Sequence, residues 1–208
     1  MLAIVDYGAG NIGSVMNMLK RLSIPAVRAT TPEQLHTASG IILPGVGAFD
    51  YCMSRFNASG MRETTDQIVA DDAKPLLGIC VGLQMMFRGS EEGQEKGLNW
   101  IAGDVIKFDK SKMSAELKIP HMGWSYVTPR ESFAPLKGIE KPRFYFVHSY
   151  HAVCDNDVDV AASAEYGYQF TCGIARGNLY GAQFHPEKSH KYGMAVLRNF
   201  AKMCGEGK

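Results

Sequence analysis

The chain has 208 residues, 46% of them hydrophobic, and its 22 basic and 21 acidic residues give a net charge of +1. This composition predicts one domain over residues 1–208 with a substantial core, and the balanced charge argues against nucleic acid or an anionic membrane as a partner. Five cysteines without CxxC spacing argue against a disulfide framework or a zinc site, and the lack of a signal peptide or a run of about 20 apolar residues indicates a cytoplasmic protein.

The first half of the chain alternates between short apolar runs and segments of helical periodicity. Strands are predicted at residues 2–7, 26–29, 40–43 and 74–77, and helices at residues 12–22, 51–56 and 61–70. In the second half, strands are predicted at residues 105–108, 125–127, 144–147, 158–165 and 171–184, before a final helix at 191–204. The pattern predicts an α/β fold of three layers, with a mostly parallel central sheet, helices on both faces and an antiparallel second half.

The segment GICVG at residues 78–82 lies between a predicted strand and a predicted helix. Its cysteine, Cys80, has a glycine two residues away on either side, which is the pattern of a nucleophile elbow with cysteine in place of serine. Such a turn is strained and closely packed, so glycines are needed where a Cβ would clash. The backbone N–H of Val81 would then face an oxyanion formed beside the sulfur.

A general base for Cys80 is predicted at the end of the last strand, where His185 and Glu187 are two residues apart. In an extended chain, residues at this spacing point the same way. His185 would deprotonate the thiol, and Glu187 would orient the imidazole. A histidine alone is more often a packed core residue, but the elbow is an independent second signal. The two together predict a Cys–His–Glu triad.

Six stretches in one order resemble the class I, or triad-type, glutamine amidotransferases, and among them the glutaminase subunits of imidazole glycerol phosphate synthases. They are DYGAGN (6–11), LPGVG (43–47), GICVG (78–82), IPHMGW (119–124), FYFVHSY (144–150) and FHPE (184–187). The resemblance implies hydrolysis of glutamine to glutamate and ammonia, with no cofactor and no metal. It also implies a heterodimer with a (β/α)8-barrel cyclase subunit, which receives the ammonia for histidine biosynthesis.

The glycine turn at Val46 and Gly47 follows a predicted strand, and beside an elbow it is interpreted as the second wall of an oxyanion hole opposite Val81. The resemblance also implies that a peptide of this loop reorients for activity. Further assignments rest on the resemblance alone. The glutamine-binding residues would be Gln84, Glu92 at the substrate ammonium, and Ser149 with Tyr150 at the substrate carboxylate.

A partner-binding surface is predicted from several separate segments. His121 and Trp124 lie in a stretch rich in aromatic residues and glycine that is interpreted as an exposed loop, and tryptophan is typical of interface hot spots. The resemblance implies that Gly10 and Asn11 also face the partner, and the full predicted interface is Gly10, Asn11, His121, Trp124, Ser125, Tyr145 and Lys188. Asn11 is also a candidate cap for the first helix. Ser125 departs from the resemblance, which has asparagine at this position, and Val81 stands where leucine is usual.

Several alternative functions stay open from the sequence. Residues 8–13 match G-x-G-x-x-G, but no acidic ribose partner ends a following strand, which weakens a dinucleotide site. His148 and His151 are three apart on predicted strands and should face opposite ways, which argues against a metal site. The ammonia acceptor could instead be a sugar-amidating enzyme of surface polysaccharide synthesis. A free-standing cysteine hydrolase and a catalytically silent binding subunit are the remaining alternatives.

Overall fold

The computed structural model describes residues 1–206. The strands are β1 (Leu2–Val5), β2 (Ala26–Ala29), β3 (Gly40–Gly45), β4 (Leu76–Cys80), β5 (Gly103–Lys107), β6 (His121–Pro129), β7 (Arg143–His148), β8 (Tyr150–Cys154), β9 (Val160–Tyr166), β10 (Tyr168–Arg176) and β11 (Leu179–Ala182). The helices are α1 (Ile12–Arg21), α2 (Pro32–Thr37), α3 (Phe49–Ala58), α4 (Arg62–Ala70), α5 (Val81–Gln84) and α6 (His190–Met203). Within residues 1–206, none of these helices is both long and apolar enough to cross a bilayer.

The strands form one mixed sheet in the order β2-β1-β3-β4-β11-β10-β9-β6-β7, with β8 and β5 branching from β10. The first five strands in this order run parallel to one another, and the remaining pairs are antiparallel. Every residue of β1, β3, β4 and β11 is buried. Because successive side chains of a strand point to opposite faces, both faces of this region are covered. The predicted α/β fold class is confirmed.

The last strands differ from the prediction in a way that builds the site. Residues 171–184 were predicted to be strand throughout, within the antiparallel half. A turn at Gly177, whose φ of +55° is left-handed, instead reverses the chain between β10 and β11. The second arm, β11, then pairs parallel with β4, from Leu179 opposite Leu76 to Ala182 opposite Ile79. This pairing brings the residues that follow β11 beside the elbow that ends β4.

The antiparallel half of the sheet packs around a group of aromatic and histidine rings. Phe108 lies at its centre, within 6.3 Å, centroid to centroid, of each of its ring neighbours. These neighbours, here called with Phe108 the aromatic cluster, are His121, His148, His151, Tyr166, Tyr168 and Phe170. Three of its members are histidines withdrawn from water, so each needs hydrogen-bond partners inside the protein.

Candidate active site

Cys80 occupies a strained elbow at the carboxyl end of β4. Its φ of 55° and ψ of −112° are unusual for a residue with a side chain, and α5 begins directly at Val81. A Cβ added to Gly82 would lie 2.0 Å from the carbonyl oxygen of Leu43, and one added to Gly45 would lie 2.5 Å from the nitrogen of Gly82. The elbow and the end of β3 therefore touch through their backbones, which only glycine permits. The helix after the elbow is a single turn, Val81–Gln84.

His185 and Glu187 follow β11 and form a buried pair beside the elbow. His185 Nδ1 lies 2.8 Å from Glu187 Oε1, and the two side chains are 2% and 1% exposed. The His185 backbone N–H donates to the Tyr145 carbonyl at 3.0 Å, which fixes the start of the segment. Since β4 and β11 are adjacent and parallel, the structure brings Cys80, His185 and Glu187 to one edge of the sheet.

The charges around His185 favour its protonated form. Burial lowers the pKa of its imidazole, but the Cys80 thiolate and the Glu187 carboxylate outweigh that effect and raise the pKa to about 10. The Nε2 atom makes no hydrogen bond within the described residues. We therefore attribute the effect of Cys80 on this pKa to charge attraction rather than to a hydrogen bond. The surroundings of His185 thus favour a protonated imidazole beside Cys80 and Glu187.

Asn11 lies closer to this site than the sequence predicted. Asn11 is the N-cap residue of α1, as predicted, but its side chain makes no capping hydrogen bond. Its amide Nδ2 instead lies 3.4 Å from Glu187 Oε1. The other carboxylate oxygen, Glu187 Oε2, is buried without a hydrogen-bond partner in the described part of the chain. Gly10, with a φ of +100°, is pressed against Pro44, where a Cβ would lie 3.0 Å from the ring.

The loop after β3 is held from inside by two side chains. The Tyr7 hydroxyl donates to the Pro44 carbonyl at 2.6 Å, and the Cys52 thiol donates to the Val46 carbonyl at 3.6 Å. Val46 and Gly47 are exposed, and Gly47 has a φ of +107° that favours glycine. The loop is thus anchored on both sides of the Gly45–Val46 peptide. It lies against the elbow, where the sequence predicted the second wall of an oxyanion hole.

The predicted glutamine-binding residues lie in two separate places. Gln84 is buried and donates from Nε2 to the carbonyl of Tyr150 at 3.1 Å, so these two residues meet. Ser149 is half-buried at the bend between β7 and β8. Glu92 instead lies beside the start of α3, where its Oε2 accepts the Phe49 backbone N–H at 2.8 Å.

One residue in contact with the nucleophile was missed by the sequence analysis. Gln183 is fully buried, and its Nε2 lies 3.7 Å from the Cys80 sulfur. Its Oε1 accepts from Gln84 Nε2 at 3.0 Å. A signal was available, because a glutamine within an otherwise apolar run is unusual for a buried strand segment.

The prediction that His121 lies in an exposed loop is wrong. His121 begins β6, its side chain is 2% exposed, and its ring stacks on Tyr166 at 4.0 Å. The aromatic and glycine content of this stretch suggested a loop, but the segment pairs with β7 in regular antiparallel register. Tertiary pairing overrides the local signal.

The other predicted interface residues lie at the same end of the sheet. Trp124 is half-buried and its ring is parallel to that of His190, with centroids 5.7 Å apart. It also meets the Tyr145 ring edge-on at 6.2 Å, and Lys188 Nζ lies 5.8 Å from that ring. Ser125 is half-buried, with its hydroxyl 2.9 Å from His121 Nε2.

The expectation that His148 and His151 face opposite ways is also wrong. Both rings contact Phe108, at 5.2 and 4.8 Å. The bend at Ser149 separates β7 from β8, so the alternation of a continuous strand does not apply. Among residues 1–206 there is no group of three His, Cys, Asp or Glu side chains suited to a metal ion.

Comparison with known proteins identifies the family. The sequence profile "Glutamine amidotransferase class-I" matches residues 3–204. A solved structure of a glutamine amidotransferase superposes with a TM-score of 0.71 over 98% of both chains, at 19% identity, which shows a shared fold. The chain therefore belongs to the class I glutamine amidotransferase family.

Within this family, the chain is similar along nearly all its length to subunits of one enzyme. It is 50% identical over 204 residues to the imidazole glycerol phosphate synthase subunit HisH of Bdellovibrio bacteriovorus, covering 98% of this chain and all of the relative. It is 45% identical over 204 residues, with the same coverage, to the imidazole glycerol phosphate synthase subunit HisH 2 of Pseudomonas aeruginosa. The predicted resemblance is confirmed.

Proposed function

We propose that this chain is the glutaminase subunit of an imidazole glycerol phosphate synthase, which releases ammonia from glutamine and works in the cytoplasm. The observation that carries the proposal is the buried His185–Glu187 pair beside the strained Cys80 elbow. Transfer of an acyl group from an amide requires a thiol nucleophile, a base and a carboxylate that orients the base. The reducing cytoplasm would keep the thiol free.

The reaction would proceed in two halves at one sulfur. The Cys80 thiolate attacks the side-chain amide carbon of glutamine, and the carbonyl oxygen becomes an oxyanion. The backbone N–H groups of Val81 and of the Val46–Gly47 region would stabilise that charge. His185 gives its proton to the departing nitrogen, the carbon–nitrogen bond breaks, and ammonia leaves a glutamyl thioester on Cys80.

Water would then complete the cycle. Neutral His185 takes a proton from a water molecule, and the resulting hydroxide attacks the thioester carbon. Collapse of the second oxyanion releases glutamate and restores the thiolate–imidazolium pair, whose stability matches the raised pKa of His185. Glu187, hydrogen-bonded to Nδ1, would hold the ring in the orientation that presents Nε2 to both steps.

The substrate would be held by polar groups around the elbow. We assign Gln84 and Tyr150 to one wall, because they are hydrogen-bonded to each other beside the sulfur. Ser149, at the bend next to Tyr150, would meet the substrate carboxylate. Glu92 would meet the ammonium group from the other side, near the loop after β3.

Ammonia would pass to a (β/α)8-barrel cyclase subunit in a heterodimer. Two large apolar side chains of β6, Met122 and Tyr126, are 61% and 65% exposed on either side of Trp124. An exposed apolar stripe of this kind is typical of a protein–protein interface. Gly10, Asn11, Ser125, Tyr145 and Lys188 complete the proposed contact surface, with His121 behind it in the interior.

The test is glutamine hydrolysis with and without a candidate barrel partner. We expect the partner to raise the rate of glutamine hydrolysis. Trp124→Ala should weaken partner binding, so that the same activation needs a partner concentration at least about tenfold higher. Val158→Ala, which truncates a side chain that is 79% exposed, is the surface control and should behave like wild type. Full activity of the free chain, unaffected by any barrel partner, would instead indicate a free-standing hydrolase.

A second candidate keeps the glutaminase chemistry and changes the acceptor to a sugar-amidating enzyme. The observation in its favour is Ser125, where the resemblance has asparagine beside the proposed contact surface. Parallel assays with a histidine-pathway cyclase and with a sugar-amidating partner would separate the two. Activation by only the sugar-amidating partner would favour the second candidate.

A further inference from the structure

A continuous chain of hydrogen bonds runs from strand β6 to the Cys80 sulfur. We call it the polar relay, and its members are Ser125, His121, His148, the Tyr150 carbonyl, Gln84 and Gln183. The links are Ser125 Oγ to His121 Nε2 (2.9 Å), His121 Nδ1 to His148 Nε2 (3.0 Å), His148 Nδ1 to the Tyr150 oxygen (2.8 Å), Gln84 Nε2 to that oxygen (3.1 Å), Gln84 Nε2 to Gln183 Oε1 (3.0 Å) and Gln183 Nε2 to Cys80 Sγ (3.7 Å). The two histidines and two glutamines are all buried.

The first half of the polar relay has only one possible direction. A carbonyl oxygen accepts and never donates, so His148 Nδ1 must carry the hydrogen that faces Tyr150. Burial lowers the pKa of His148 to about 3 and that of His121 to about 4, so both rings are neutral at pH 7. His148 Nε2 is then an acceptor, and His121 must donate to it from Nδ1. His121 Nε2 in turn accepts the hydroxyl hydrogen of Ser125.

The second half of the polar relay is equally determined. The Gln84 nitrogen faces the Tyr150 carbonyl, so it is the amide NH₂ group, and its second hydrogen points to the Gln183 oxygen. With its oxygen occupied by that donor, Gln183 turns its own NH₂ group to the Cys80 sulfur. The reverse orientation would place a carbonyl oxygen there, which would accept from a thiol S–H and favour the protonated form.

We infer that Gln183 is a further catalytic residue of this site, an N–H donor that stabilises the Cys80 thiolate. The other members of the polar relay are positioning residues. Gln84 selects one of the two amide orientations of Gln183, and Ser125, His121 and His148 fix the Nδ1–H that holds the Tyr150 carbonyl to which Gln84 is bonded. The two orientations have almost the same shape, so only hydrogen bonding can distinguish them. A donor to an ionised acceptor makes the stronger kind of hydrogen bond. The inference rests on the proposed function, because it concerns the same sulfur.

The first test is the rate at which iodoacetamide alkylates Cys80, followed by mass spectrometry of its peptide. Gln183→Met keeps the length of the side chain and removes the donor, so we expect about tenfold slower alkylation at pH 7 and a smaller effect at pH 9.5. His148→Phe should slow the reaction several-fold at pH 7. His148→Asn should restore most of the rate, because its amide nitrogen can take the place of Nδ1.

Two matched controls separate the polar relay from general damage to the core. His151→Phe removes a histidine that is also buried in the aromatic cluster but lies outside the polar relay, and it should leave the alkylation rate unchanged. Ser163→Ala removes a serine hydroxyl from the neighbouring strand β9, where it accepts from Gln169, and is compared with Ser125→Ala. We expect only Ser125→Ala to slow the reaction, by a few-fold.

The second test needs no substitution. Nitrogen-15 NMR of the imidazole rings should show His121 and His148 both as neutral Nδ1–H tautomers at pH 7. Unchanged alkylation in Gln183→Met would overturn the inference, and an Nε2–H tautomer at either ring would overturn the positioning role of the two histidines. Neither readout uses glutamine. A wild-type chain that releases no ammonia with any partner would therefore contradict the proposed function while leaving these two tests to decide the polar relay.

Discussion

At the scale of single residues, Cys80 differs from the other four cysteines in its surroundings. Burial raises the pKa of Cys52 to about 11 and that of Cys154 and Cys204 to about 12, and it also raises the pKa of Cys172. Those four thiols are protonated at neutral pH and are poor nucleophiles. Only Cys80 lies beside His185.

We therefore expect Cys80→Ala to lose all glutamine hydrolysis, because no other thiolate can replace it. The measurement is glutamate and ammonia release in the presence of the barrel partner. Cys154→Ala is the matched control and should keep wild-type turnover. The complex carrying Cys80→Ala should still use added ammonium salt for the partner's own reaction. Substantial glutamine hydrolysis by Cys80→Ala would refute the assignment of the nucleophile.

Glu187 should orient His185 without transferring protons itself. Glu187→Gln keeps an oxygen that can accept from Nδ1 but removes the negative charge, so the ring is held less firmly. We expect this variant to retain roughly ten- to hundredfold more turnover than His185→Ala, because the third member of a triad contributes least. Turnover numbers of the two variants, with folding checked by circular dichroism, make the comparison. Equal and total loss in both would contradict it.

At the scale of elements, the elbow depends on backbone contact between β3 and the turn after β4. Gly82→Ala would place a Cβ 2.0 Å from the Leu43 carbonyl oxygen, and neither backbone can move without breaking the sheet. We expect a loss of about 3 kcal/mol or more in the free energy of unfolding.

Gly13→Ala is the matched control for that prediction. Gly13 lies in α1 with nothing within 4 Å of an added Cβ, so alanine should stabilise the helix by about 0.5–1 kcal/mol. Urea unfolding of the two variants and the wild type gives both values. Wild-type stability in Gly82→Ala would show that the elbow and β3 do not touch as described.

The elements that the sequence predicted well are those with local signals. The first four strands, β1 to β4, and the Cys80 elbow follow from apolar runs and glycine spacing, which are properties of short segments. What the sequence did not predict depends on distant pairing. The burial of His121 needs β7 alongside it, and the contact of Gln183 with the sulfur needs β11 to pair with β4. No single segment carries that information.

At the scale of the whole molecule, the three histidines of the aromatic cluster make the free energy of unfolding depend on pH. Burial lowers the pKa of His121 to about 4 and that of His148 to about 3, and it also lowers the pKa of His151. An unfolded histidine has a pKa of about 6.5 and binds protons more readily than these rings do. Acid therefore favours the unfolded chain. The stabilising effect of the neutral rings is complete above pH 6.5 and is lost progressively as the pH falls towards 4 and 3.

We expect the free energy of unfolding to fall by roughly 2–3 kcal/mol between pH 7.5 and pH 5, because losses of about 2 kcal/mol each at His121 and His148 are partly offset by a gain of about 1 kcal/mol at His185. At pH 5 most carboxyl groups are still ionised, so the histidines dominate this window. His185 has the opposite effect on stability, since its pKa is raised to about 10, and its stabilising contribution is lost only as the pH rises above 6.5.

Urea unfolding at pH 7.5, 6 and 5 measures the change in the free energy of unfolding. His148→Phe should flatten the curve, whereas His36→Asn, which replaces an exposed histidine, should leave it as in the wild type. A curve that is flat from pH 7.5 to 5 in the wild type would mean that these rings are protonated in the folded protein, which is incompatible with the neutral tautomers that the hydrogen bonds require.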